Sequence, residues 1–317
     1  MIKVANIKFQ LRVIIFTLIL GLSISTIAKA SMPLSIENIL QQLGYKAIPI
    51  TVKNGFLYVK AFVNKHPATA IIDTGSSGIN VTKGTAKKLN LATFNTTKDA
   101  GIDMHGRTSF KKSVILPHVT IGNIQLGNVT ANIFQHVSPS NMPTLVVGRD
   151  FLKQHHAIID VYKKKLYLGN KKLSRLEMNE IQRVLSNKRL LAVPLMFLGS
   201  GSMVMPLQIN HSQPVSFLFD TGTGITLLSQ KYAKTLNLKQ RDKSDKSKGI
   251  AIEKLVMNPL NISFQPKITL NGISVQPVNL AMLRKYLYVQ GIFGLSDMIK
   301  AHAIIFVQEG MLFLRSG

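Results

Sequence analysis

Two stretches of the chain, AIIDTGSSG at residues 70–78 and FLFDTGTGI at 217–225, set the same acid, hydroxyl and glycine after a short apolar run. Their aspartates, Asp73 and Asp220, lie 147 residues apart. A carboxylate at the end of a strand can take or give a proton, and a matched pair supplies the reagents of general acid–base chemistry. One Asp-Thr-Gly alone would say little, because an Asp that opens a turn commonly accepts local backbone hydrogen bonds. Here both copies continue with a hydroxyl residue (Ser76, Thr223) and a further glycine (Gly78, Gly224). The repetition of the whole setting points to chemistry rather than to two unrelated turns.

The elements that carry these residues are also repeated. AKKLNL (86–91) returns as AKTLNL (233–238), HAIID (156–160) as HAIIF (302–306), and LYL (166–168) as LFL (312–314). Offsets of 145 to 147 that drift by a residue or two mark a duplication with small loop changes, and the period is far too long for a solenoid. Each copy opens on a helix. Ile36, Ile39, Leu40 and Leu43 have helical spacing with Gly44 as the stop, and Ile181, Val184 and Leu185 repeat the first three positions behind a Ser174/Glu177 capping box. The segment around 170–190 doubles as a linker. GFLYVKAFVN, ATAIID, SMVMPLQIN and SFLFD read as strands, and SVILPHVTIGNIQLGNVTANIF and ISFQPKITLNGISVQPVNLAML as meanders. TKGTAKKLNL and SQKYAKTLNL each predict a helical turn. The class is mainly β with a few short helices, divided into residues 1–30, a first lobe 31–172 and a second lobe 173–317.

The chain resembles aspartic proteases of the retropepsin/pepsin type, most of all bacterial forms with two tandem retropepsin-like domains. The resemblance spans most of 45–317 and rests on two motifs per copy: apolar-apolar-Asp-Thr-Gly-Ser/Thr, and a later apolar-apolar-Gly in VVGRDFL (146–152) and IFGLSDMI (292–299). It implies two β-barrel lobes related by a pseudo-two-fold axis, with Gly148 and Gly294 on strands that pass behind the catalytic loops. It also implies that Asp73 and Asp220 share one proton, as neighbouring carboxylates cannot both ionise, and activate water for peptide hydrolysis. By the same resemblance Thr74 and Thr221 interlock the two loops, and Ser76 and Thr223 donate to the outer carboxylate oxygens. Gly75 and Gly222 let the loops approach, because they lack a Cβ. Position alone assigns a flap to DAGIDMHGRTSF (99–110), with Gly101 and Gly106 at its bends, and a second near KSKGIAIEKL (246–255). Asp103, Met104 and His105 there would touch substrate or form a plain exposed turn. The second copy departs from the first at Leu295 and Ser296, where the first has Arg149 and Asp150, and in IIF for IID.

The implied activity needs no cofactor and no metal, and its partner is a peptide or protein substrate. His155-His156 lacks the i, i+4 spacing and acidic partner of a zinc protease helix. GSGS (199–202) has no Gly-Lys-Ser/Thr after it, and no Gly-x-Ser-x-Gly elbow supports a serine triad. Lys3, Lys8 and Arg12, the sixteen-residue apolar run 13–28 and Ala28-x-Ala30 read as a secretory signal cleaved near Ala30, which predicts a periplasmic or secreted product. The absence of cysteine excludes disulfides and a thiol nucleophile. The formal charge of +25 favours anionic surroundings such as an envelope surface. The basic residues are dispersed, without aromatic interleaving, so no nucleic acid is expected. Economy favours a monomer in which an internal pseudo-dimer builds one site. Two alternatives stand beside it: lobes that pair with the same lobe of a second chain, and a catalytically idle peptide- or envelope-binding protein of the same fold.

Overall fold

The computed structural model describes residues 35–96, 101–102, 108–109, 112–134, 145–238, 250–257 and 268–316. The expected leader, residues 1–30, and Asp103, Met104, His105 and Gly106 of the expected flap lie outside the described residues.

The first half runs α1 (Ile36–Gln42), β1 (Lys46–Pro49), β2 (Thr51–Lys53), β3 (Phe56–Val63), β4 (His66–Asp73), β5 (Ile79–Thr82) and α2 (Lys83–Lys88). It continues through β6 (Thr93–Asn95), β7 (Gly101–Ile102), β8 (Thr108–Ser109), β9 (Lys112–Ile121), β10 (Ile124–Phe134), β11 (Leu145–Gly148), α3 (Arg149–Gln154), β12 (Ile158–Asp160) and β13 (Lys165–Leu168). The second half runs α4 (Arg175–Ser186), β14 (Leu190–Pro194), β15 (Met196–Phe197), β16 (Met203–Ile209), β17 (Val215–Phe219), β18 (Leu227–Ser229) and α5 (Gln230–Thr235). Then follow β19 (Ile250–Met257), β20 (Ile268–Val278), α6 (Ala281–Leu287), β21 (Gly291–Phe293), α7 (Leu295–Lys300), β22 (Ile304–Phe306) and β23 (Met311–Arg315).

In the first half the hydrogen-bonded order is β3-β4-β11-β5-β10-β9, and a pairing of β3 with β9 closes the ring. In the second half β16-β17-β21-β18-β20-β19 closes in the same way through β16 and β19. Strand for strand the two barrels are equivalent. Side-chain alternation sets their walls: Leu57, Val59, Ala61 and Val63 of β3 point into the core while the intervening residues face outward. β11 is buried along its whole length because it runs between β4, to which it is parallel, and β5, to which it is antiparallel. β21 does the same between β17 and β18. These central strands read as unbroken apolar runs because both of their edges and faces are covered.

A third sheet, β1-β13-β12-β22-β23-β14, joins the halves. Its central pair sets HAIID against HAIIF, with Ile159 opposite Ile305. Helices α1 and α4 cover this sheet through Ile36, Ile39, Leu40, Ile181, Val184 and Leu185, packed with Tyr167, Phe306 and Phe313. The expected capping box is present, with Ser174 accepting from Glu177 N and Glu177 accepting from Ser174 N. Two expectations are corrected. NLAML, read as the end of a meander, begins helix α6, whose Leu283 packs with Leu218 and Leu227, on the strands either side of the second Asp-Thr-Gly turn, and with Ile292. Residues 250–255 of the expected second flap belong to β19, a barrel strand paired with β16 and β20.

Candidate active site

β4 ends at Asp73 and β17 ends just before Asp220, and each leads into a turn that returns as a short buried strand, β5 or β18. The strand passing alongside fixes each tip. Gly148 is the register partner of Asp73, and Asp220 N donates to Phe293 O at 3.2 Å. The following amides complete the clamp: Arg149 N donates to Ser76 O at 2.9 Å, and Leu295 N to Thr223 O at 2.8 Å. A Cβ on Gly148 would stand 2.6 Å from Gly78 O, and one on Gly294 would collide with Ile225, so the passage behind each turn demands glycine.

The two turns grip one another through a reciprocal set of hydrogen bonds. Thr74 N donates to Thr221 Oγ1 at 3.0 Å, and Thr221 N donates to Thr74 Oγ1 at 3.0 Å. Each hydroxyl in turn donates to a carbonyl of the other lobe, Thr74 to Phe219 O at 3.3 Å and Thr221 to Ile72 O at 2.9 Å. Both threonines are wholly buried, so these bonds replace water rather than compete with it.

This grip brings the carboxylates together in one chain. Gly75 N donates to Asp73 Oδ1 at 2.9 Å and to Asp220 Oδ1 at 3.1 Å. A side chain on either loop glycine would fill the site. A Cβ at Gly75 lies 2.6 Å from Asp220 Oδ2, and one at Gly222 lies 2.6 Å from Asp73 Oδ2.

The surroundings of the two acids differ. Asp220 Oδ1 also accepts from Gly222 N at 2.7 Å, and its Oδ2 accepts from the Thr223 hydroxyl at 2.6 Å. Asp73 Oδ1 accepts from the amides of Gly75 and Ser76, the latter at 3.0 Å. The Ser76 hydroxyl was expected to donate to the outer oxygen of Asp73. Instead it accepts from Asn80 Nδ2 at 2.9 Å, while that amide also donates to Ser77 O. Asn80 is fully buried on β5 and draws the hydroxyl away from the carboxylate. Removal from water raises the Asp73 pKa well above the usual carboxylate range. The adjacent Asp220 charge and a hydrogen bond to Asp220 raise it further, against the opposing pull of the Ser76 and Gly75 amides.

Arg149 is a site residue that spacing did not reveal. Its side chain is buried directly behind the first turn. It donates to Ser200 O at 2.9 Å, to Ser202 Oγ at 3.4 Å and, at 3.5 Å, to Gly75 O, linking the first lobe to the GSGS hairpin of the second. The signal was a lone cation inside VVGRDFL, where Leu295 stands in the other copy. Of the flap residues, Gly101 lies on β7, paired antiparallel with β8. Among the described residues no group of three or more His, Asp or Glu is arranged to hold a metal ion.

The profile of the family described as "gag-polyprotein putative aspartyl protease" matches the chain twice, over residues 59–154 and 205–300. No curated protein sequence matches it. Among solved structures, the fold is similar to an aspartic proteinase from Irpex lacteus, with a TM-score of 0.52, 12% identity, and coverage of 86% of this chain and 97% of that one. Basic 7S globulin from soybean gives a TM-score of 0.51 at 11% identity, covering 86% of this chain and 95% of that one. Conglutin gamma, a basic 7S globulin from lupine seeds, gives 0.51 at 10% identity with the same coverages.

Proposed function

Since the chain belongs to the gag-polyprotein aspartyl protease family, we propose that it is an exported aspartic endopeptidase whose single site is the Asp73/Asp220 pair. The observation that carries this reading is the Gly75 amide, which donates to one carboxylate oxygen of each acid and so ties both to one point. Asp220, with three donors on its carboxylate, is the anion and general base. Asp73, with its raised pKa, holds the shared proton. A water between them loses a proton to Asp220 as its oxygen attacks the scissile carbonyl, and Asp73 gives its proton to the carbonyl oxygen. The tetrahedral diol then collapses as the leaving nitrogen is protonated and the carbon–nitrogen bond breaks. Gly75 and Gly222 keep the space over the pair open to the substrate, and the Thr74–Thr221 grip holds the carboxylates in place.

Export follows from the basic and apolar start and the Ala28-x-Ala30 site, and the product works in the periplasm or outside the cell as a monomer, in contact with an anionic envelope surface. A catalytically idle peptide-binding protein is the second reading. Two of the similar structures reported above are named as basic 7S globulins rather than as proteinases, so this fold alone does not carry catalysis. The test is cleavage of a broad peptide library between acidic and neutral pH by the wild type, Asp73→Asn and Asp220→Asn. Loss of cleavage in both variants supports one shared pair. Half the activity in each would mean two separate sites, and no cleavage by the wild type would favour the idle binder.

A further inference from the structure

A second concave site lies in the C-terminal lobe, where the start of α5 meets the end of β20 and the start of α6. It is a pocket of about 360 Å³ whose wall carries Lys231, Lys234 and Arg284 together with Ser229, Gln230 and Asn279. No acidic side chain lines it. Among the described residues none of the three cations makes an ion pair, and Arg284 Nε is buried with no hydrogen-bond partner. Three like charges around one cavity repel each other, and a chain with 14 acidic residues has placed none of them here. The arrangement is not a by-product of duplication. Lys234 has its counterpart in Lys87, but Lys231 corresponds to Gly84 in the first copy.

We propose that this pocket binds a phosphate group. Two ammonium groups and a guanidinium more than offset the roughly −2 charge of a phosphomonoester, and the neutral donors meet the remaining oxygens of a tetrahedral anion. A carboxylate, with two oxygens in one plane, would leave most of these donors unused. The volume admits a phosphate with a sugar- or glycerol-sized substituent. The group therefore arrives either on a soluble phosphorylated molecule or on the headgroup of a lipid. This site goes beyond the peptidase reading, and its binding readouts do not depend on catalysis.

The test uses the full-length mature chain. Titration with inorganic phosphate and with glycerol phosphate, followed by calorimetry and by thermal unfolding, should show saturable binding, with acetate at equal ionic strength inactive. Lys231→Gln/Lys234→Gln changes exposed side chains only and should weaken binding at least tenfold. Arg284→Gln should do the same, and Lys87→Gln in the first lobe should change nothing. In a second arm, vesicles of phosphatidylcholine with and without phosphatidic acid distinguish the sources. Retention by phosphatidic acid alone, lost in the double variant, assigns a lipid headgroup, and binding of the soluble phosphates alone assigns a soluble molecule. Either result supports the site. Absence of saturable binding in both arms overturns it, as would equal response to acetate or equal loss in Lys87→Gln.

Discussion

Replacing Thr221 by valine is the sharpest test of how the two lobes are held at the site. Valine has the shape of threonine and adds no bulk, so the change removes only what the hydroxyl does. That hydroxyl accepts from Thr74 N and donates to Ile72 O, both in a region closed to water. Two buried backbone groups would be orphaned at once. At about 1–3 kcal/mol for each unsatisfied group, and with a small gain from the added methyl, the expected cost is about 2–5 kcal/mol. Thr221→Ser keeps the oxygen and loses a methyl, which costs about 1 kcal/mol. The assay is urea unfolding of both variants beside the wild type, read as a shift in midpoint at constant slope.

The reciprocal variant refines the test. Thr74→Val orphans a different pair, Thr221 N and Phe219 O. The two sets share no group, so the double valine variant should cost close to the sum of the single changes, although neighbouring substitutions are usually non-additive. If the hydroxyls merely bonded one another, either single variant would already incur the full loss. A Thr221→Val variant no less stable than Thr221→Ser, or a double variant no worse than one single, would refute the reasoning.

Three further outcomes follow from the site. Asp73 has a folded-state pKa raised above the unfolded value of about 3.9, so its contribution to stability is complete below that value and is lost as pH rises through the folded pKa. The unfolding midpoint of the wild type should therefore fall relative to Asp73→Asn as pH rises from the unfolded value to the folded pKa, whereas kcat/KM should hold until pH passes the folded pKa and the shared proton is lost. Thr223→Val removes the hydroxyl donor at 2.6 Å from Asp220 Oδ2 and should lower kcat/KM by about 10- to 100-fold, on the basis of about 1.5–3 kcal/mol for a hydrogen bond to a charged group. Ser76→Ala, whose hydroxyl faces Asn80, should change kcat/KM little, and peptide kinetics on the pair decide the point. Gly222→Ala sets a methyl against the Asp73 carboxylate and should abolish cleavage while costing about 1–3 kcal/mol of stability, measured by kinetics and urea unfolding together.

The mainly β class and the duplication were legible because the local patterning occurs twice, and the barrels followed only as what the family resemblance implied. The Asp-Thr-Gly turns, the apolar strands feeding them and the glycines behind them recur at a nearly constant offset, so each copy corroborates the other. Features that depend on a partner from elsewhere in the chain were not legible. The orientation of Ser76 is set by Asn80, four residues on but across a turn, and Asn80 is held in place only by the packing of β5. Arg149 acquires its meaning from Ser200 and Ser202 in the other lobe. The sheet that joins the halves pairs HAIID with HAIIF, a union that neither segment alone announces. Helix α6 was hidden because NLAML follows a strand with its own Gly and Pro, and its few apolar positions fit either reading.

These same features show what the duplication permits. Two identical chains that met at a two-fold axis would have to give both acids the same neighbours, and the shared proton would have no structural preference. In one chain the copies are free to diverge. Asp220 has kept a hydroxyl donor on its outer oxygen, whereas the corresponding hydroxyl beside Asp73 has been turned aside by Asn80. The extra donor favours negative charge on Asp220, and the raised pKa of Asp73 agrees with its proposed part as the holder of the shared proton. Arg149 against Leu295 is a second such divergence, a cross-lobe tie made from one side only. Restoring the symmetry should therefore be detectable. With Asn80→Leu freeing the Ser76 hydroxyl toward Asp73, the preference between the acids should narrow, and the fall in kcat/KM with rising pH should begin at lower pH than in the wild type. An unchanged profile in a folded variant would mean that the asymmetry of the turns has no part in placing the proton.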